Sequence, residues 1–203
     1  MNLLYACTKV EVMSSKLKNI VALGVAGLVL LGCKSEQTAD LGQVLDRTEF
    51  ALMNYQGYLE ENNFDSISED QMGEFTGYYT SVLNAEPRFY EKNLGLTIQA
   101  DAMFLGFADA NGNGVQDDGE GKIFTVEIDE ANNRLIATDV AGNSSGLRFS
   151  GTGFLTGMLL GNLLGRQRGA GIAANSFNNR SVTPRGQYQA PRSARSGGPR
   201  AGK

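Results

Sequence analysis

The chain has 203 residues, a formal charge of −4, 26 glycines, and neither Trp nor His. That length suits one domain with extensions. The lack of imidazole excludes His general bases, Ser–His and Cys–His nucleophile pairs and His metal ligands. Charge is unevenly placed: residues 33–165 carry 7 basic against 21 acidic side chains, a net of −14, whereas residues 166–203 carry 8 basic and none acidic. An acidic body therefore precedes a basic tail.

In chain order, residues 1–12 (MNLLYACTKVEV) fit no part of an export signal, and translation is expected to begin at Met13. Lys16 and Lys18 then form a positive segment, followed by the apolar run of residues 20–31. At 12 residues this run has the length of a signal-peptide core and is short for a membrane span. It ends in Leu30, Leu31, Gly32 and Cys33. The order and spacing of residues 13–33 resemble the signal peptide and lipobox of bacterial lipoproteins, the other reading being an uncleaved anchor. The resemblance implies cleavage before Cys33, lipid on its sulfur, and a cell-envelope location. Lys34 in place of Asp after the cysteine implies the outer membrane if the source is Gram-negative. Two or three acyl chains bind a membrane durably where one is marginal. Cys7 would be lost with the signal, leaving the mature chain without a disulfide framework.

Residues 33–39 read as a lipidated polar tether and residues 40–165 as a small α+β domain. Leu41, Leu45, Thr48, Leu52, Tyr55 and Leu59 recur at alternating spacings of four and three, which predicts an amphipathic helix ending near Glu60, Glu61 and the Asn62-Asn63 pair. A second helix is announced by the capping box Ser68/Gln71 and the staple pair Ile67/Met72. Its buried stripe is Met72, Phe75, Tyr79 and Val82, and Pro87 closes it. From Leu94 the pattern turns to alternation, with Leu96, Ile98, Ala100 and Ala102 on one side. Phe124, Val126 and Ile128 alternate again, and residues 124–138 predict a hairpin turning at 129–133. Two helices packed on a small antiparallel sheet is the economical arrangement.

Between the strands lies DANGNGVQDDGE, residues 109–120, which fits D-x-[DN]-x-[DN]-G-x5-E at every specified place. A hard cation such as Ca2+ takes six to eight oxygens at about 2.3–2.6 Å. Asp109, Asn111 and Asn113 offer side-chain oxygens, Val115 a carbonyl, Asp117 a direct or water-mediated ligand, and Glu120 both carboxylate oxygens, while Gly114 permits the turn. The stretch resembles an EF-hand loop, and more closely the free-standing calcium loops of dockerins and bacterial adhesin repeats. Gln116 stands where paired EF-hands place an aliphatic residue, so a single structural Ca2+ is expected rather than a sensor pair. Mg2+, which keeps several waters in a near-ideal octahedron, suits the set less well. The competing reading is an Asx- and Gly-rich turn that binds nothing.

Gly153, Gly157, Gly161 and Gly165 repeat every fourth residue among Phe, Leu and Met. On a helix over 153–165 they would form one smooth ridge. Interior glycines cost about 1 kcal/mol each relative to Ala, so such a helix has to be packed, against its own domain, a second copy or a bilayer surface. Residues 166–203 are rich in Gly, Ser, Asn, Arg and Pro and poor in apolar residues, which predicts a disordered basic extension. Arg and Gly there suit phosphate neutralisation, but export removes nucleic acid as a partner. Anionic headgroups or envelope polymers remain, as does simple contact with the acidic body. The composite expectation is a non-enzymatic envelope lipoprotein with a structural Ca2+ loop. The alternative is an assembly subunit that oligomerises, or docks a partner, through its glycine-ladder helix.

Overall fold

A computed structural model describes residues 38–149 and 156–185. The signal segment, Cys33, Gly153 and the chain beyond 185 lie outside the described residues. The architecture is α+β: three helices on a six-stranded sheet of order β1-β2-β3-β4-β5-β6.

Helix α1 spans Leu41–Glu61, and the carboxylate of Asp40 caps it by accepting from the backbone N–H groups of Gly42 and Gln43. Leu45, Thr48, Leu52, Tyr55 and Leu59 are buried, as the periodicity predicts. Asn62 caps the C-terminus, and Asn63 takes the left-handed conformation that ends the helix. Helix α2, Glu69–Leu83, opens on the expected reciprocal box between Ser68 and Gln71, with Glu69 and Asp70 facing the positive end of the helix dipole. The two helices are locked by Arg47 of α1, which is fully buried. Its guanidinium donates to the carbonyls of Val82, Leu83, Ala85 and Pro87 at 2.6–2.9 Å and lies 4.9 Å from the Phe89 ring centre. A cation at the carbonyl end of α2 satisfies groups the helix leaves open.

The strands are β1 (Leu94–Ile98), β2 (Phe104–Ala108), β3 (Lys122–Asp129), β4 (Arg134–Asp139) and β5 (Ser144–Arg148), antiparallel throughout. The expected hairpin is β3–β4. The expected first strand is cut short: Gln99 to Ala102 make the turn into β2, with Ala102 at φ +59°. One sheet face presents Phe104, Phe124, Val126, Ile128, Leu135, Ala137 and Leu147 to the helices in one core cluster. Tyr79 meets Phe104 edge-on at 5.6 Å between ring centres. Gly106 is required there, since a Cβ would stand 2.3 Å from the Phe124 ring.

Helix α3 covers Met158–Gly169 and reverses the expected role of the glycines. Leu159, Leu160, Leu163, Leu164 and Gln167 are buried, whereas Gly161 and Gly165 are exposed with nothing within 4 Å of a Cβ. Leucine burial, not close backbone approach, secures the helix, so the ridge is its open side. Gly157 alone makes the close approach, against Gln56, whose Oε1 accepts from the Leu159 N–H at 2.8 Å.

The described part of the basic tail is ordered, which corrects the expected boundary at residue 166. After α3 the chain crosses the second sheet face, where Arg134 donates to the carbonyls of Phe177 and Arg180. It ends in β6 (Thr183–Pro184), parallel to β5, so the sheet is mixed rather than wholly antiparallel. Phe107, Ile136 and Phe177 are buried outside the main core cluster.

Candidate metal centre

The loop of residues 109–120 joins β2 to β3. Its base is closed by backbone bonds from Ala108 to Gly121 and from Asp109 to Asn93, each 3.0 Å. The register of β2 slips between Gly106 and Phe107 just before it. Gly112, Gly114 and Gly119 hold φ of +74°, +74° and +93°, a region that costs L-residues energy. These three residues set the curl that the sequence pattern anticipates at Gly114.

Within that curl the side chains fold back on the backbone. Asp109, only 5% exposed, accepts from the N–H groups of Gly112 (2.7 Å), Asn113 (3.2 Å) and Gly114 (2.9 Å). Asn111 Oδ1 accepts from Asn113 N–H at 3.0 Å and Asn113 Oδ1 from Val115 N–H at 2.7 Å, forming two successive Asx turns. The Nδ2 groups of Asn111 and Asn113 both donate to Asp117 Oδ2 at 2.8 Å. Glu120 accepts from the N–H groups of Ala110 (2.8 Å) and Asp117 (3.1 Å), bridging the two arms of the loop. Val115 stands exposed at the tip.

The structure thus joins Asn111, Asn113 and Asp117 directly, and holds Asp109 and Glu120 through the backbone they share. The donor chemistry suits a hard cation: carboxylates and amide oxygens, with no nitrogen or sulfur ligand required. The carboxylates are not gathered, however. Among the described residues no group of three or more Cys, Asp or Glu is placed to hold a metal ion. Asp117 is tied by the two amide donors. The Asn oxygens each retain a lone pair beyond the one used in the turn. An ion could therefore be seated by swinging Asp117 off those amides while the Asx turns persist.

Among the described residues, two of the cavities border β5. The larger, about 580 Å3, is bounded by α1, β5 and α3, with Leu52, Met53, Leu147 and Leu160 as its apolar wall. The smaller, about 320 Å3, shares Leu147, Arg148 and Arg185 with it.

Sequence reasoning left contact of the basic tail with the acidic body as one alternative and did not place its residues. Arg166 pairs with Glu69, Arg168 with Glu130, Arg180 with Glu127, and Arg185 with both Asp46 and Glu49. Every described arginine of the tail meets a carboxylate of the body. The one available signal was the opposed charge of the two parts, which gives attraction but no register.

Among the described residues no helix is long and apolar enough to cross a membrane. Comparison with protein-family models, with curated proteins and with solved structures finds no match for this chain.

Proposed function

We propose that the chain is a non-enzymatic lipoprotein of the bacterial cell envelope, anchored through lipid on Cys33, whose domain is stiffened by one Ca2+ in the loop of residues 109–120. The observation that carries the calcium part is the loop's conformation: three left-handed glycines, two consecutive Asx turns, and Glu120 reaching across both arms. A featureless polar turn has no need of a twelfth-position carboxylate bonded to its second and ninth residues. Asp109, Asn111, Asn113, Asp117 and Glu120 would supply side-chain oxygens and Val115 its carbonyl. Anchoring rests on the resemblance of residues 13–33 to a lipoprotein signal, and it places the domain where calcium is abundant. Anionic headgroups or envelope polymers are the partners this location offers.

Thermal unfolding of the mature chain tests the calcium part. At ten times Kd, binding adds about 1.4 kcal/mol, which raises the midpoint by roughly 3–6 °C in a domain of this size. Glu120→Gln should abolish the rise. A midpoint indifferent to Ca2+ in both proteins would sink the reading.

A second reading, an assembly subunit, is favoured by the open glycine side of α3 at Gly161 and Gly165. If a second copy or a partner packs there, Gly161→Leu should reduce the assembled mass in size-exclusion chromatography with light scattering. Gly157→Leu is no clean probe, because it would strike Gln56. An unchanged monomer in both wild type and variant argues against assembly.

A further inference from the structure

Strands β4 and β5 set two arginines face to face. Arg134 and Arg148 are Cα partners in the antiparallel register, so their side chains leave the sheet on the same face, the one the chain crosses after α3. Like charges placed directly opposite one another repel. Only the first is answered. Arg134 is buried; its Nε donates to Asp129 Oδ2 at 2.6 Å and its Nη2 to the carbonyls of Phe177 and Arg180, while Nη1 has no hydrogen-bond partner among the described residues. Arg148 is exposed and forms an ion pair with no carboxylate of the described residues. Both arginines border the smaller cavity beside β5, of about 320 Å3, together with Leu147, Val182, Pro184 and a third arginine, Arg185. Asp129, Asp46 and Glu49 pair with Arg134 and Arg185, yet among the described residues no acid borders this cavity. An ion inside it therefore meets guanidinium before carboxylate.

We propose that this cavity binds a phosphate group, with Arg148 supplying the charge that no side chain offsets and Arg134 the free Nη1 donor. Guanidinium groups match phosphate oxygens in pairs, and the three acceptor oxygens of a phosphate group suit a site with arginines on several sides. Leu147, Val182 and Pro184 give an apolar flank for the remainder of a phosphate ester. The wall is firmly built. Strand β6 pairs with β5 at Ser145 and Gly146, Ser145 Oγ donates to the Thr183 carbonyl at 3.0 Å, and Val182 fills the space over Gly146, where a Cβ would stand 2.6 Å away. The ligand could be free phosphate or the headgroup of an anionic lipid, the second being the source that an envelope location offers. The site itself rests on the sheet register and not on the calcium loop or the anchor.

Nuclear magnetic resonance of the full chain tests the site, with inorganic phosphate titrated against chloride at a constant ionic strength of about 0.15 M. The Nε–H signal of Arg148 and the amides of Gly146, Leu147 and Val182 should shift along one saturating curve. The amide of Lys92, beyond the opposite edge of the sheet, should not follow it. Arg148→Gln should weaken binding by about fivefold, the share of one exposed charge pair. Arg148→Lys should recover part of that loss, keeping the charge without the planar fork. Because Arg148 is exposed, both variants should fold. A second arm uses short-chain phosphatidic acid below its micelle concentration. Tighter binding than inorganic phosphate names a lipid headgroup as the ligand, and equal or weaker binding names free phosphate. Shifts that never saturate and that Lys92 shares would overturn the proposal, as would an Arg148→Gln chain that binds phosphate like the wild type.

Discussion

Arg47 is the side chain on which the two-helix layer most depends. It is fully buried and holds four carbonyls around the C-terminus of α2 and the turn after it. Each buried acceptor left without a donor costs about 1–3 kcal/mol. Arg47→Met keeps much of the volume and removes every donor, so we expect a loss on the order of 3–5 kcal/mol in chemical denaturation. A loss below about 1 kcal/mol would mean that water replaces the guanidinium there. The glycines give a paired prediction. Gly106→Ala forces a methyl into the Phe124 ring and should cost about 1–3 kcal/mol. Gly161→Ala, in open space on α3, should instead stabilise by roughly 0.5–1 kcal/mol. Both are read from the midpoint and slope of urea unfolding.

Among the elements, those whose stability is local or apolar could be read from the sequence, and those held by distant partners could not. The stripes from Leu45 to Leu59 and from Met72 to Val82, and the Ser68/Gln71 box, carry their signal within one or two turns of helix. The β3–β4 hairpin shows its alternation in Phe124, Val126 and Ile128. Strand β2 was not anticipated, because Gly106 interrupts its apolar pattern to make room for Phe124. Strand β5 (SSGLR) offers only Leu147 to the core, and Gly146 is opposed by Val182 from a segment 36 residues away. The loop of residues 109–120 was legible in full as a pattern, yet not the amide-to-Asp117 closure, which depends on rotamers. The tail was misread as far as residue 185, since composition measures apolar content and this segment docks by charge and by Phe177. Ending the chain at residue 172 should therefore uncover Ile136 and leave Arg134 without two acceptors. We expect a loss of about 2–4 kcal/mol, measured by thermal and urea unfolding; an unchanged midpoint would show the second sheet face needs no cover.

For the whole molecule, the charge asymmetry of the sequence becomes an internal fit. Acids of the body meet the arginines in the last turn of α3 and in the segment after it, which reduces self-repulsion in an otherwise acidic body. The pH dependence carries a definite sign. Asp46 is raised to about 6, chiefly by burial, from an ordinary value of 3.8. Between those values the native state binds more protons than the unfolded chain, so this group's contribution to stability grows as pH falls through that window and is lost as pH rises above it. Asp46→Asn should accordingly flatten the stability profile between about pH 4 and 6, as seen in midpoints from calorimetry. A profile that keeps its wild-type slope would place the responsible group elsewhere.

The calcium loop is the claim on which the functional account turns, and backbone nuclear magnetic resonance reads it residue by residue. On titrating the mature chain with Ca2+, the amides of Gly112, Gly114, Val115 and Asp117 should shift together and saturate with a Kd of about 10⁻⁴–10⁻³ M. The Asn111 and Asn113 side-chain amides should move as Asp117 leaves them, and Glu120→Gln should abolish the saturation. Loop amides that stay in place at a Ca2+ concentration of roughly 10⁻² M, well above that range, would contradict the account.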